Sequence, residues 1–372
     1  MVKVLQISPY FPPQFGGIEQ VSYDIFKCLR QHSIEQSVLC YNKKACFSRE
    51  TVEGISVFRV GCAFRIWSQS IPINYKKVLQ DVLSNLDPDI VHIHLPNPVA
   101  TWYLLRQIRR DKKKRRIVVH WHSDIIRQAF LMPVYRPIQD QLLSICDSII
   151  VTSDNYAKGS RYLQDFRDKI TVIPNIVDME RYRDLILNCK ARNCQREDSI
   201  FFIGVHRKYK GLKYLIEAAR LLPHRQFIIA GEGPETNKLK RMARNLHNVI
   251  FVGPISEQEK VKYLVSAKVF AFPSVSKNEA FGIALAEALY FGLPAVCFDI
   301  EGSGVSWVNQ NGLTGFVVPN KDVESFAESI ERLMSDEGTF KYLSVNAHNW
   351  VVEKMNSEVL WSGIKRVYGI EK

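Results

Sequence analysis

Glu279 and Glu287 stand in the segment Pro273-Ser274-Val275-Ser276-Lys277-Asn278-Glu279-Ala280-Phe281-Gly282-Ile283-Ala284-Leu285-Ala286-Glu287-Ala288-Leu289, which follows an apolar run and is closed by Gly292 and Pro294. This order reads as strand, loop and helix, with Gly292 and Pro294 as the stop. Glu279 then precedes the helix and Glu287 lies inside it. Even if both were helical, eight residues of separation would mean about 12 Å of rise and about 80° of rotation, too much for two acids to work on one atom. They are expected to touch different parts of one long ligand. The amides near Phe281, Gly282 and Ile283 would meanwhile face an anion, because a helix N-terminus carries free N–H groups and the positive end of the dipole.

Other candidates occupy strand-to-helix turns. Arg207, Lys208 and Lys210 follow Gly204 in the run Phe202-Ile203-Gly204-Val205-His206-Arg207-Lys208-Tyr209-Lys210-Gly211. Gly16-Gly17 follows the first strand, and Gly231 and Gly233 lie in Ala230-Gly231-Glu232-Gly233-Pro234, with Gly253-Pro254-Ile255 further on. None of these is the Gly-x-Gly-x-x-Gly fingerprint, which argues against an NAD enzyme. His122, in Val118-Val119-His120-Trp121-His122-Ser123-Asp124, stands at a strand's C-terminal end, where doubly wound sheets hold ligands. His120 reads as packing, and His92 and His94 as residues lining a cleft.

Glu279 and Glu287, inside the frame Pro-Ser…Glu-x-Phe-Gly…Glu-Ala-Leu…Gly-x-Pro, resemble the paired-glutamate signature of the retaining family-four glycosyltransferases with two Rossmann-like domains, the GT-B fold. An isolated pair of this kind reads equally well as two solvated carboxylates; the frame selects the ligand role. The resemblance covers nearly the whole chain. It implies that Glu279 bonds donor-sugar hydroxyls, that Glu287 holds the ribose, and that Lys210 lies on the donor diphosphate. It implies for His122 a place facing the donor sugar, and for Gly16 and Gly17 an approach of backbone to phosphate or acceptor. Gly204, Gly231, Gly233 and Pro254 fall in loops around the nucleotide. The family's arginine after the glycine is replaced by Val205, and Arg207 is the natural substitute; Ile176 replaces a usual glycine near the domain junction. The implied reaction retains anomeric configuration by front-face attack, needs neither cofactor nor metal, and assigns Glu279 to positioning rather than nucleophilic attack. Similarity to bacterial enzymes of O-antigen and capsule assembly makes a lipid-linked or growing oligosaccharide the expected acceptor.

The elements that must place these residues are short β-branched strands alternating with amphipathic helices, as in an α/β fold with helices on both faces of parallel sheets. Strands are expected at 2–7, 36–40, 55–59, 90–94, 117–120, 148–151 and 170–173, and again at 200–203, 227–229, 249–251, 269–272, 295–298 and 315–318. The polar interval between the two series suggests two doubly wound domains facing across a cleft. The expected bounds are 1–180 for an acceptor domain, 181–198 for a linker, 199–350 for a nucleotide-sugar domain, and 351–372 for a last helix that could dock on either. With 372 residues, each domain can bury its own core.

Eight scattered cysteines suggest neither zinc nor disulfides, and Asp87-Pro88-Asp89 reads as a turn rather than a metal motif. The net charge of +12 favours anionic partners. Nucleic acid would suit the run Arg106, Arg109, Arg110, Lys112, Lys113, Lys114, Arg115 and Arg116, yet the run lacks interleaved aromatics. An anionic membrane suits it better, with Phe64-Arg65-Ile66-Trp67 and Phe130-Leu131-Met132-Pro133-Val134-Tyr135 as apolar contacts; the alternative is a solvated helix end and ordinary core. No signal segment or membrane span is visible, so the expected location is the cytoplasm, with peripheral contact at the inner face of the membrane. A sugar-nucleotide epimerase of the same architecture is the enzymatic alternative.

Overall fold

A computed structural model describes residues 2–14, 16–66, 69–111, 113–125, 130, 132–188 and 196–370. The chain forms two compact units: Met1–Pro174 with Ser357–Lys372, and Asn175–Asn356.

The first unit contains β1 (Lys3–Ile7), β2 (Glu35–Tyr41), β3 (Ser48–Val52), β4 (Ile55–Val60), β5 (Cys62–Ile66), β6 (Gln69–Pro72), β7 (Ile90–Leu95), β8 (Arg116–Trp121), β9 (Ser148–Val151) and β10 (Ile170–Val172). Eight of these make one sheet in the order β10-β9-β8-β7-β1-β2-β4-β3, parallel except for β3 against β4, and β5 pairs with β6 in a separate hairpin. Every residue of β7 is buried, as a sheet covered on both faces requires. The sequence gives no hint of β3 because Ser-Arg-Glu-Thr-Val is a polar edge strand with no apolar face to bury. Phe64 lies on the β5–β6 hairpin and is exposed, as are Phe130 and Val134, whereas Met132 and Tyr135 are core; Trp67 and Leu131 lie outside the described residues.

Four histidines form a stack across β7 and β8. His92 and His94 alternate on β7, parallel pairing sets His94 beside His120, and His122 follows β8 on the same face. Ring centroids are 4.8 Å apart for His92–His94, 5.2 Å for His94–His120 and 4.3 Å for His120–His122. His92 and His94 are fully buried, so they are core and do not line a cleft. His92 Nδ1 lies 2.8 Å from the hydroxyl of Tyr368, on the C-terminal helix Ser357–Tyr368. That helix packs on the first unit, with Gly363 so close to Ile173 that a Cβ would stand 2.8 Å from its side chain.

The second unit has one all-parallel sheet of β11 (Ser199–Ile203), β12 (Gln226–Ala230), β13 (Val249–Gly253), β14 (Val269–Phe272), β15 (Ala295–Phe298) and β16 (Gly315–Val318). Their order is β13-β12-β11-β14-β15-β16. Alternate residues of β11 feed opposite cores: Phe201 packs with Phe270 and Leu285, while Ile200 and Phe202 pack with Phe227 and Phe298.

The unit begins earlier than the polar interval suggests. Val177 and Tyr182 are buried in its core, and the Val177 amide donates to Met355 O at 2.9 Å. Residues 175–180 and 351–356 therefore belong to it. Arg196, within the expected linker, is half-buried and donates to the carbonyls of Leu264, Ala267, Phe291 and Gly292 at 2.6–3.3 Å. Burial pulls its pKa down to about 10. Charged composition marked a connection where one cation is in fact an internal brace.

The histidine stack ties the first unit's stability to pH. Burial lowers the His92 and His122 pKa values from 6.5 to about 3 and holds His94 and His120 well below their usual range, with the neighbouring imidazoles adding to the shift for all but His122. The unfolded chain takes up protons near 6.5 that the folded unit refuses, so stability is fully present above that pH and is lost as pH falls toward 3. Each such proton is worth about 1.4 kcal/mol per pH unit. Denaturant unfolding between pH 7.5 and 5 should show the first unit's midpoint falling; a flat profile would mean that these imidazoles take up protons in the fold as readily as in the unfolded chain.

Candidate active site

In the second unit the strand order reverses between β11 and β14, so the loops leaving these neighbours diverge and open a crevice at their C-terminal ends. β11 leads through Gly204 to a short turn, Lys208–Lys210, and to the helix Leu212–Leu221. β14 leads through Ser274 and Glu279 to the helix Ile283–Tyr290. Gly211, at φ +65°, lets the loops meet: a Cβ there would stand 1.9 Å from Pro273 O. The Val275 amide donates to Tyr209 O at 2.9 Å and fastens them.

Lys210 Nζ consequently lies 2.5 Å from Glu279 Oε2, with both side chains nearly buried. Ser274 Oγ donates to the same carboxylate oxygen at 3.0 Å, and Ser303 Oγ donates to the Glu279 carbonyl. The ammonium lies 5.2 Å from the centre of the Phe272 ring. Burial, the largest single effect, would lower the Lys210 pKa, but attraction to Glu279, the influence of Tyr209 and the hydrogen bond to Glu279 together outweigh it and the net shift is upward. Arg207 is exposed, has no carboxylate partner among the described residues, and its charge opposes that rise. Val205 is also exposed.

Glu287 is held by residues that sequence reasoning missed. Tyr182 OH donates to its Oε1 at 2.5 Å and Lys260 Nζ at 3.1 Å, across 105 and 27 residues of chain. Gly282, at φ +91°, starts the helix, and the Ala286 amide reaches Gly282 O at 3.0 Å. The amides of Ile283, Ala284 and Leu285 therefore have no acceptor within the helix. The Phe281 side chain is core, packed on Trp307, so its backbone is the part available to a ligand.

The remaining loops interlock. Gly231, at φ +102°, would place a Cβ 2.1 Å from Gly204 O, and its amide donates to Gly253 O at 2.7 Å, just before exposed Pro254. A Cβ on Gly233 would stand 2.7 Å from His206 O. His206 is a third missed residue: its amide donates to Glu232 O at 3.0 Å, and its Nδ1 lies 2.9 Å from Thr236 Oγ1. It braces the loop after β11 against the loop after β12.

Gly16, Gly17 and His122 belong to the first unit. Gly16 and Gly17 are exposed at the start of the helix Gly17–Gln31; Gly16 is in extended backbone, where a Cβ would stand 2.4 Å from Glu19 Oε2, the end of a side chain that can turn aside, and a Cβ on Gly17 would meet nothing within 4 Å, so the backbone conformation requires neither glycine. The His122 amide donates to Leu95 O at 3.0 Å, continuing the β7–β8 ladder. The ring nitrogens of His92, His94 and His120 lie within 4.8 Å of one another. The three rings lie 4–17° from parallel, and a lone pair lies in its ring plane, so they do not converge on a metal ion. Asp87 and Asp89 are occupied by Lys113 at 3.1 and 3.0 Å, and Asp87 also by Arg115 at 3.0 Å.

Residues 15–181 match the family model "Glycosyltransferase Family 4" and residues 190–350 the model "Glycosyl transferases group 1". The chain is 30% identical, over 99% of its length and 98% of the relative's, to O-antigen chain mannosyltransferase C of Escherichia coli. This protein belongs to the family 4, group 1 glycosyltransferases. The glycosyltransferase is also 30% identical over 87% of its length, and 84% of the relative's, to D-rhamnosyltransferase WbpZ of Pseudomonas aeruginosa. Its fold is that of Anabaena HepE, solved with UDP-glucose, at a TM-score of 0.75 and 16% identity with all of each chain covered. Both have the two-Rossmann-domain GT-B architecture.

In this glycosyltransferase the buried ion pair makes a stability prediction separate from activity. Replacing one member leaves the other charge buried and unpaired, at a cost of about 3–5 kcal/mol. Lys210→Met should destabilise the second unit by that order, and Lys210→Met/Glu279→Gln should recover much of the loss. A double-mutant cycle in denaturant unfolding measures it; additive losses would show that the pair is not coupled.

Proposed function

We propose that this glycosyltransferase transfers a hexosyl residue, with retained configuration and without metal, from a UDP- or GDP-linked sugar to a hydroxyl of a lipid-linked or growing oligosaccharide in cell-surface polysaccharide assembly. The observation that carries this reading is the seating of Lys210 and Glu279 beside the start of the helix Ile283–Tyr290, at the strand reversal. As the bond to the donor diphosphate breaks, negative charge grows on the departing oxygens, and a fixed ammonium with free helix amides stabilises that charge without reorganising. Arg207 adds an exposed cation. Glu279 positions sugar hydroxyls, and Glu287, fixed by Tyr182 and Lys260, offers its carboxylate to the ribose. His122 supplies a contact to the donor sugar, and Gly16 and Gly17, which the fold does not require, leave backbone open to phosphate or acceptor.

The name of the E. coli relative supports a polysaccharide substrate, and UDP-glucose in HepE supports a nucleotide-sugar donor. A cavity of about 600 Å³ in the first unit, bordered by Phe47, Phe58, Ile73 and Val78 with Arg49 and Lys77, suits an amphiphile with an anionic head. Among the described residues no helix is long and apolar enough to cross a membrane. Peripheral contact falls to Arg106, Arg109, Arg110 and Lys114, exposed beside Trp102, because Lys113 and Arg115 are engaged by Asp87, Asp89 and Asp111. Lys112 lies outside the described residues.

A panel of UDP-, GDP- and dTDP-sugars, scored for nucleotide release with and without acceptor, tests the reaction. Release should require acceptor, survive a chelator and yield the donor's anomeric configuration; epimerised donor without acceptor, or loss of activity on chelation, overturns the scheme. Glu287→Ala should weaken nucleotide affinity about tenfold or more, whereas Glu279→Ala should act chiefly on kcat. Vesicle co-sedimentation should show salt-sensitive binding to anionic lipid that Arg109→Glu/Arg110→Glu abolishes; equal binding by the variant removes the membrane role.

A further inference from the structure

The hydrogen-bond chain behind His122 fixes which of its nitrogens carries the proton. It starts at a backbone carbonyl, which can only accept. Gln36 Nε2 donates to Phe26 O at 2.8 Å, so Gln36 turns its Oε1 toward Gln6. Gln6 must then donate through Nε2, at 3.3 Å, and keeps Oε1 as an acceptor. That oxygen receives Ser22 Oγ at 3.5 Å and lies 3.3 Å from His94 Nε2. Because an amide oxygen has no proton to give, His94 carries its own on Nε2. A neutral imidazole has one proton, so His94 Nδ1 is a lone pair, and the atom 2.9 Å from it, His122 Nε2, must be the donor. His122 Nδ1 is thereby left as a lone pair with no partner among the described residues, on the most exposed ring of the four, at 8%.

We propose that Gln6 and His94 are positioning residues that lock His122 in its Nε2–H tautomer, so that its Nδ1 accepts a hydrogen bond from a hydroxyl of the donor sugar. This rests on the reading of His122 as a donor-sugar contact. The topology explains the chain. Gln6 is on β1, His94 on β7 and His122 follows β8, three neighbouring strands, with Gln6 opposite His92 in the register. The lock also suits the chemistry. An imidazolium would repel the positive charge that develops on the anomeric carbon, whereas a neutral acceptor orients a hydroxyl without opposing that charge. Burial keeps the ring uncharged, and no carboxylate takes part in this chain of hydrogen bonds to favour a second proton.

Full-length enzyme labelled with ¹⁵N-histidine, observed by long-range proton–nitrogen correlation at pH 7.5 and assigned by single His→Phe variants, tests the lock directly. His94 and His122 should each show a protonated Nε2 and a pyridine-like Nδ1. A His122 that is an imidazolium or the Nδ1–H tautomer overturns the proposal, whatever the kinetics. His94→Phe keeps a flat ring in the stack but removes the acceptor. It should mix the His122 tautomers and lower donor kcat/KM about tenfold, while leaving the affinity for free nucleotide unchanged. His94→Asn, which keeps an oxygen near the lost Nδ1, should recover most of that loss. His94→Phe/His122→Phe should be no worse than His122→Phe alone; additive losses would overturn the positioning role. If the tautomers are as stated but His122→Phe leaves donor kinetics untouched, it is the donor-sugar reading of His122 that fails, and the use proposed for the lock fails with it.

Discussion

The contact between Lys210 and Glu279 is the constraint around which the second unit is arranged. An ion pair taken out of water is tolerable only when the remaining faces of each charge are also met. Ser274 serves the carboxylate, and the rings of Phe272 and Tyr209 lie near the ammonium. Bringing these groups together demands that the loops after β11 and β14 approach to backbone contact, which a side chain at Gly211 would forbid. The same demand passes outward: Gly231 must clear Gly204, and Gly233 must clear His206. Gly211, Gly231 and Gly233 mark where the loops at this end of the sheet touch one another.

Glu287 shows how the unit's edges serve its centre. Its partner Tyr182 lies on the helix Met179–Asn188, and Lys260 on the helix Glu257–Ser266. Two helices thus set one carboxylate. Tyr182 also packs edge-on to Phe291, at the end of the helix that carries Glu287, so burial and hydrogen bonding hold the same group. This is why the boundary of the unit lies upstream of the polar interval: without residues 175–188 the carboxylate loses its hydroxyl donor.

Most strands of the two large sheets and the placing of Lys210, Glu279 and Glu287 after or inside their turns and helix were legible because they rest on local signals: β-branched runs, glycine after a strand, a fixed interval between two acids. What escaped depends on distance along the chain. Tyr182 and Lys260 carry no motif, and Arg196 looks solvated until the carbonyls around it are known. The histidine stack was half written, since His92-Ile93-His94 and His120-Trp121-His122 each put alternate residues on one face of a strand. Only the register, which pairs His94 with His120, turns two such triplets into one array. The basic run was only partly legible for a related reason: Asp87 and Asp89, remote in sequence from Lys113 and Arg115, are adjacent to them in the fold and engage these two cations.

Both sheets reverse strand order next to their first strand, yet the two crevices are built with opposite electrostatics. At the β11–β14 reversal the groups are ionic, and their charges are fixed because each is the other's partner. At the β1–β7 reversal the groups are neutral, and their direction is fixed because the chain of donors ends on a carbonyl that cannot reverse. Departure of a nucleotide diphosphate calls for the first kind of group, since charge accumulates on oxygen; recognition of a sugar hydroxyl beside an electron-poor carbon calls for the second. On the reading proposed above, the ammonium of Lys210 and the lone pair of His122 are therefore not interchangeable. Each depends on a packing device the other could not use: opposite charge in one case, and in the other a buried stack of uncharged rings in which, among the described residues, no carboxylate pairs with His122 to stabilise an added proton.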